Sequence, residues 1–180
     1  MINTYIPYLK NNEKKFLLNC LKSSFVSTAG PKVGEFERLF CEKYKFKYAV
    51  AVNSGTSALH LALLASGIGE NDLVILPTYT FSATANAARY TGASPWFFDC
   101  DEEFFLDINK LEISLKKNTI FKSNKLIDKY TGKIVKAVMP VQTLGKAINF
   151  SKYEKFAKKY SLKLIFDSAA CHDPKIMDFQ

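Results

Sequence analysis

From Tyr48 onward the chain alternates between two hydrophobic patterns. Short, continuously apolar runs read as strands: YAVAV (48–52), LVILP (73–77), PWFFD (95–99), KAVMPV (136–141) and KLIFD (163–167). Between most of them apolar positions recur every three or four residues, the period of a helix face. This predicts helices over 56–66, 81–90, 108–117 and 149–160, the last with Phe150, Tyr153, Phe156, Ala157 and Tyr160 on one face. Strand and helix in alternation predict an α/β fold built on a parallel sheet, and burial on both faces explains strands that are apolar throughout. Before Tyr48 the spacing predicts two amphipathic helices. One covers 11–24, with Phe16, Leu17, Cys20 and Leu21 inward. The other covers 31–44, with Pro31 in its first turn and Val33, Phe36, Leu39 and Phe40 inward. Residues 122–133 are polar around a Thr-Gly pair and predict a surface hairpin or loop.

Composition narrows the class. With 180 residues, 48% hydrophobic and 23% charged, the chain is a globular sequence long enough for a real core. No run of eighteen apolar residues marks a membrane span, and the opening MINTYIPYLKNNEKKF has no apolar signal core. The four cysteines, Cys20, Cys41, Cys100 and Cys171, lie far apart without a C-x-x-C pair. They read as reduced packing residues of a cytoplasmic protein. The net charge of +8 would favour an anionic substrate. Its lysines are spread along the chain, and Lys152, Lys155, Lys158 and Lys159 fall on the polar side of a predicted helix. Nucleic acid is therefore not the expected partner, nor is a membrane.

Open parallel sheets bind ligands beyond the carboxyl ends of their strands, and three features fall there. NSGTSALHLALLASG (53–67) follows an apolar run and opens a helix. Gly55 permits close backbone approach, and the N–H groups and hydroxyls of Thr56 and Ser57 suit an anion. A plain cap by Asn53 or Ser54 explains the same residues equally well. The pattern is neither G-x-G-x-x-G nor a P-loop. Asp167 ends KLIFD before the small residues SAA. A protonated heterocyclic nitrogen would satisfy its carboxylate, and so would service as a helix cap. Phe81, just past LVILP, suits either stacking on a planar cofactor or the core.

SSFVSTAGPKVGEFERLF, YAVAVNSGTSALHLALLASGIGENDLVILPTYTFSATANAARYTGASPWFFDCD and KYSLKLIFDSAA resemble, in this order and spacing, the DegT/StrS group of pyridoxal-phosphate-dependent nucleotide-sugar aminotransferases. The resemblance covers nearly the whole chain to about Ala169. DKYTGKIVKAVMPV is similar to the branch that aminates UDP-linked 4-keto-6-deoxy-N-acetylhexosamines, on routes to bacillosamine- and legionaminic-type sugars.

The resemblance implies fold type I of the aspartate aminotransferase superfamily, a three-layer α/β/α large domain with a mostly parallel sheet. It implies an N-terminal helical segment at 1–47, a partial cofactor-binding domain at 48–180, and a small C-terminal domain outside the chain. It also implies a cytoplasmic homodimer that transfers an amino group from an amino-acid donor, glutamate, to a nucleotide sugar in polysaccharide precursor synthesis. Its cofactor is pyridoxal 5'-phosphate. Gly55, Thr56 and Ser57 would hold the phosphate, Phe81 would stack on the pyridine ring, and Asp167 would pair with the ring nitrogen. That pairing keeps the ring protonated as an electron sink.

Three departures accompany it. Ala170 stands three residues after the ring-pairing Asp, where the family often has Glu, Gln or His. Gln142 stands where His is frequent, and it hydrogen-bonds without titrating near neutral pH. The family's Schiff-base lysine lies a few tens of residues beyond the Asp. Lys175 is too close to Asp167 for that role, CHDPKIMDFQ leaves the family pattern, and the chain ends at Gln180. No catalytic residue is assigned, and the expectation is a half-enzyme that is inactive alone. Two other readings are a dehydratase-type relative and a non-catalytic fragment that binds a full-length partner.

Overall fold

The computed structural model describes Ile6, Leu9 and residues 12–171. Asn11 and Lys175 lie outside the described residues. The chain divides into two compact units, Met1–Ala51 and Val52–Gln180.

In the first unit, α1 is Glu13–Ser23 and α2 is Pro31–Tyr44. Extended Gly30 followed by Pro31 starts α2 with a residue whose missing N–H costs the helix nothing. Ion pairs Lys32–Glu35 and Arg38–Glu42, each 2.5 Å, lie along its solvent side. The inward faces expected for these helices are not buried. Phe16, Leu17, Leu21, Phe36 and Leu39 are exposed, and Cys20, Val33 and Phe40 are only half-buried. An apolar stripe is buried only against another element, and the described residues of this unit offer too little surface to cover two of them.

Residues 48–52, expected as a strand, form none. The segment has the two-residue alternation of one, with Tyr48, Val50 and Val52 exposed and Ala49 and Ala51 half-buried. A strand is defined by its ladder, and no described residue pairs with this segment.

The second unit is a six-stranded mixed sheet between two helical layers. Its elements are α3 (Gly55–Ala65), β1 (Asp72–Pro77), α4 (Ser82–Tyr90), β2 (Ser94–Phe98), α5 (Ile108–Asn118), β3 (Thr119–Lys122), β4 (Lys125–Asp128), β5 (Ile134–Val138), α6 (Phe150–Tyr160) and β6 (Lys163–Leu164). The strand order is β2-β1-β5-β4-β3, with β6 also on β5. Strands β2, β1, β5 and β6 run parallel. The expected polar hairpin starts earlier than its polar run: β3 and β4 pair antiparallel around Ser123 and Asn124, whose φ values of 49° and 59° are those of a tight two-residue turn. β4 takes the first half of β5 at Ile134 and Val135, and β6 takes the second half at Ala137 and Val138.

The sheet faces two cores. Leu73, Ile75, Val135 and Val138 join Leu111 and Leu115 of α5 and Tyr153 and Phe156 of α6. Val74, Leu76, Ala137 and Met139 join Leu59 and Leu63 of α3 and Ala87 and Ala88 of α4. The register between β1 and β5 slips at Leu73/Val74, so that Leu73 opposes Val135 and Val74 opposes Ala137. The extra residue, Lys136, changes the facing parity of β5. Its amine reaches out of the ladder to buried Asp72 at 3.0 Å and to the Gly67 carbonyl. The Tyr153 hydroxyl donates to the Leu106 carbonyl at 2.9 Å, and burial pushes its phenol above the ordinary value.

Candidate functional site

A cleft of about 610 Å³ opens at the carboxyl ends of the parallel strands. Tyr79, Thr80, Phe81 and Ala83 enter it after β1, Val141 to Leu144 after β5, and Asp167, Ala169 and Ala170 after β6; Gly55, Thr56 and Leu59 come from the start of α3. Ligand sites of open α/β sheets sit at such strand ends because the chain leaves the sheet there and backbone groups are freed.

Asp167 is 7% exposed. The strand run KLIFD is regular only over Lys163–Leu164, but it stays alongside the end of β5. Asp167 N donates to the Pro140 carbonyl and Gln142 N donates to the Asp167 carbonyl, both at 2.9 Å. This clamp fixes the carboxylate. The Thr84 hydroxyl donates to Oδ2 at 2.6 Å, and Ala169 N donates to Oδ1 at 3.3 Å. Thr84 is fully buried and lies 2.7 Å from the Thr80 hydroxyl, so a short chain of hydroxyls backs the carboxylate. A buried carboxylate has acceptor capacity beyond these bonds.

At the start of α3 both sequence readings meet. Ser54 is an N-cap whose Oγ accepts from Ser57 N at 3.1 Å. The Ser57 hydroxyl donates to Asn53 Oδ1 at 2.8 Å and lies 3.0 Å from Ser54 Oγ. Ser57 is thus tied into the cap and does not line the cleft. Gly55 and Thr56 do line it, and they precede the first intrahelical bond, from Ala58 N to the Ser54 carbonyl at 3.0 Å. Their N–H groups are therefore among the donors that a helix leaves unused at its start.

Phe81, the residue before α4, is 78% exposed and flanks the cleft, so it is not a core aromatic. Thr143 and Leu144 of the 3-10 turn Thr143–Gly145 also line the cleft, and the Thr143 hydroxyl anchors the turn on the Phe104 carbonyl at 3.2 Å. Leu144 and Gly145 both have positive φ, 54° and 73°. A Cβ on Gly145 would stand 2.8 Å from the Ala170 carbonyl oxygen, so the turn packs against the segment after Asp167 only because that residue is glycine.

Four of the five residues singled out from the sequence, Gly55, Thr56, Phe81 and Asp167, meet at one cleft. Sequence reasoning missed Thr84 and Leu144. Thr84 sits inside an alanine-rich helix, 83 positions from the carboxylate it serves, and no local spacing announces it. The donor set suits the group that the family resemblance implies: a buried acceptor for a ring N–H, helix-start N–H groups for an anionic end, and an exposed aromatic face for a flat ring. Among the described residues there is no cluster of side chains able to hold a metal ion, and no helix long and apolar enough to cross a membrane.

Comparison with known proteins bears on the same cleft. The chain is 36% identical over 169 residues to a GDP-perosamine synthase of Caulobacter vibrioides, covering 93% of this chain and 41% of that protein. It is 37% identical over 153 residues to a UDP-4-amino-4,6-dideoxy-N-acetyl-beta-L-altrosamine transaminase of Campylobacter jejuni, covering 85% of this chain and 37% of that one. It therefore spans about two fifths of the length of these relatives. The crystal structure of ntda from Bacillus subtilis with bound cofactor PMP superimposes with a TM-score of 0.73 at 29% identity, over 93% of this chain and 37% of that one. The sequence profile of one family matches residues 7–178, nearly the whole chain, and with this fold and cleft the protein belongs to the DegT/DnrJ/EryC1/StrS aminotransferase family.

Proposed function

We propose that this chain is the cofactor-binding part of a pyridoxal-phosphate-dependent aminotransferase that moves an amino group from glutamate to a 4-keto-6-deoxy nucleotide sugar, for glycan precursor synthesis. The family depends on pyridoxal phosphate. The observation that carries the reading is the buried Asp167 carboxylate, held by the Thr84 hydroxyl and the Ala169 N–H in a cleft that the start of α3 also lines.

In this reading Asp167 accepts the ring N–H, and the Thr84 hydroxyl keeps its carboxylate from rotating. Thr56 and Gly55 donate N–H groups to the phosphate, with the partial positive charge of the helix start behind them. Ser57 supports them through the Ser54 cap. Phe81 covers one ring face and excludes water from it. When bound, the cofactor supplies an electron sink for the carbon that loses or gains the amino group. The nucleotide sugar is the substrate, and assembly as a homodimer belongs to the same reading.

Titration of pyridoxal phosphate into the purified chain, followed by cofactor absorbance, tests the reading. Saturable binding is expected, weaker by about tenfold in Asp167→Ala, where a ring N–H loses its only charged partner. A parent chain that binds no cofactor, or a variant that binds it equally well, overturns the reading.

A further inference from the structure

Gln142 stands apart from every other buried polar side chain described. It is 1% exposed, and neither its Nε2 nor its Oε1 has a hydrogen-bond partner among the described residues. Its neighbours in kind are all engaged. Thr84 bonds Asp167, Thr143 bonds the Phe104 carbonyl, Thr119 bonds the Leu115 carbonyl, and Asp72 bonds Lys136. Native interiors leave few such groups unpaired, because each costs the full desolvation of the amide with nothing returned. A methionine or leucine of similar volume would avoid that cost entirely.

Its position suggests what returns the cost. Gln142 and Asp167 both line the cleft, and the Gln142 backbone N–H is bonded to the Asp167 carbonyl at 2.9 Å, so the two residues leave neighbouring strand ends at the same cleft. The two are chemically complementary. Ionised Asp167 only accepts, whereas the amide of Gln142 brings two N–H donors and one acceptor. The adjacent wall is Ala169 and Ala170, whose side chains donate nothing. A planar heterocycle that gives its ring N–H to Asp167 and carries an oxygen on the ring needs a donor from the protein for that oxygen.

We propose that the side-chain amide of Gln142 is a direct binding contact for pyridoxal phosphate, donating Nε2–H to an oxygen on its ring. The inference rests on the proposed function and adds a residue to it. The unpaired amide lowers the stability of the cofactor-free chain and is satisfied only by the ligand. Its contribution to stability and its contribution to binding therefore have opposite signs.

Gln142→Met and Gln142→Glu in the full chain test this. Thermal melts without cofactor are compared with absorbance titrations of pyridoxal phosphate. The methionine variant is expected to melt higher by a few degrees without cofactor and to bind it about tenfold more weakly. Its bound cofactor should absorb at a shifted wavelength, since the ring oxygen has lost its donor. Gln142→Glu keeps the size, loses the N–H, and should weaken binding at least as much; it carries the test if the methionine variant does not fold. Unchanged affinity and absorbance in either variant overturn the inference while leaving the proposed function standing. A methionine variant that melts lower with affinity unchanged also overturns it, and makes Gln142 structural. A parent chain that binds no cofactor overturns the proposed function, and this contact with it.

Discussion

At the residue scale, the cleft depends on positions where the side chain matters less than what the backbone will tolerate. Gly145 carries φ 73° and sits where a methyl would stand 2.8 Å from the Ala170 carbonyl. Its neighbour Leu144 already accepts a left-handed backbone at φ 54°, a conformation that residues with a Cβ adopt at a cost. Gly145→Ala should therefore cost about 1–3 kcal/mol, combining the conformational penalty with displacement of the segment after Asp167. Urea denaturation measures it; an unchanged midpoint would mean that the turn has room to give. The close approach at Gly145 was not readable in the sequence. A contact with Ala170 links residues 25 positions apart, and only folding brings them together.

At the element scale, the start of α3 separates two duties that the sequence merges in one motif. The cap is Ser54, with Ser57 and Asn53 braced against it, while Thr56 is the hydroxyl-bearing residue of α3 among those that line the cleft. Ser54→Ala should lose about 1 kcal/mol of stability, the usual cost of an N-cap. Thr56→Ala should leave stability within about 0.5 kcal/mol, as solvent-side changes do, and weaken pyridoxal phosphate binding. Denaturation and cofactor titration on the two variants check the division; it fails if Thr56→Ala unfolds the chain more readily than Ser54→Ala. The helices themselves were legible because each has a strong period and a clear start, as with Asp107, whose carboxylate accepts from Asn109 N and Lys110 N at the head of α5. Strands were less legible at their ends: β6 stops at Leu164 although KLIFD is apolar to its last residue but one, because a ladder needs a partner at each step.

At the scale of the whole molecule, apolar surface is left uncovered. Phe16, Leu17, Leu21, Phe36 and Leu39 on α1 and α2, and Tyr48, Val50 and Val52 in the unpaired extended segment, are all exposed. Unpaired extended backbone with apolar side chains invites association. The isolated chain should therefore self-associate as its concentration rises and should bind a hydrophobic dye. Sedimentation velocity checks this: a single monomeric species across a wide concentration range, with no dye binding, would show that these faces are satisfied in solution.

By itself the sequence determined the periodicities, and with them the helices, the buried parallel strands, the fold class and the residues that the chain offers to a ligand. Those are local properties, set by which side chain follows which. Tertiary structure alone decided the rest. It made 48–52 an extended segment and not a strand, since pairing depends on a neighbour. It left the stripes of α1 and α2 open, since burial depends on a cover. It turned β5 by one residue at Lys136, so that both cores fill. It placed Thr84 on Asp167 and buried the amide of Gln142 without a partner among the described residues, because hydrogen bonds between distant residues depend on how sheet and helices pack.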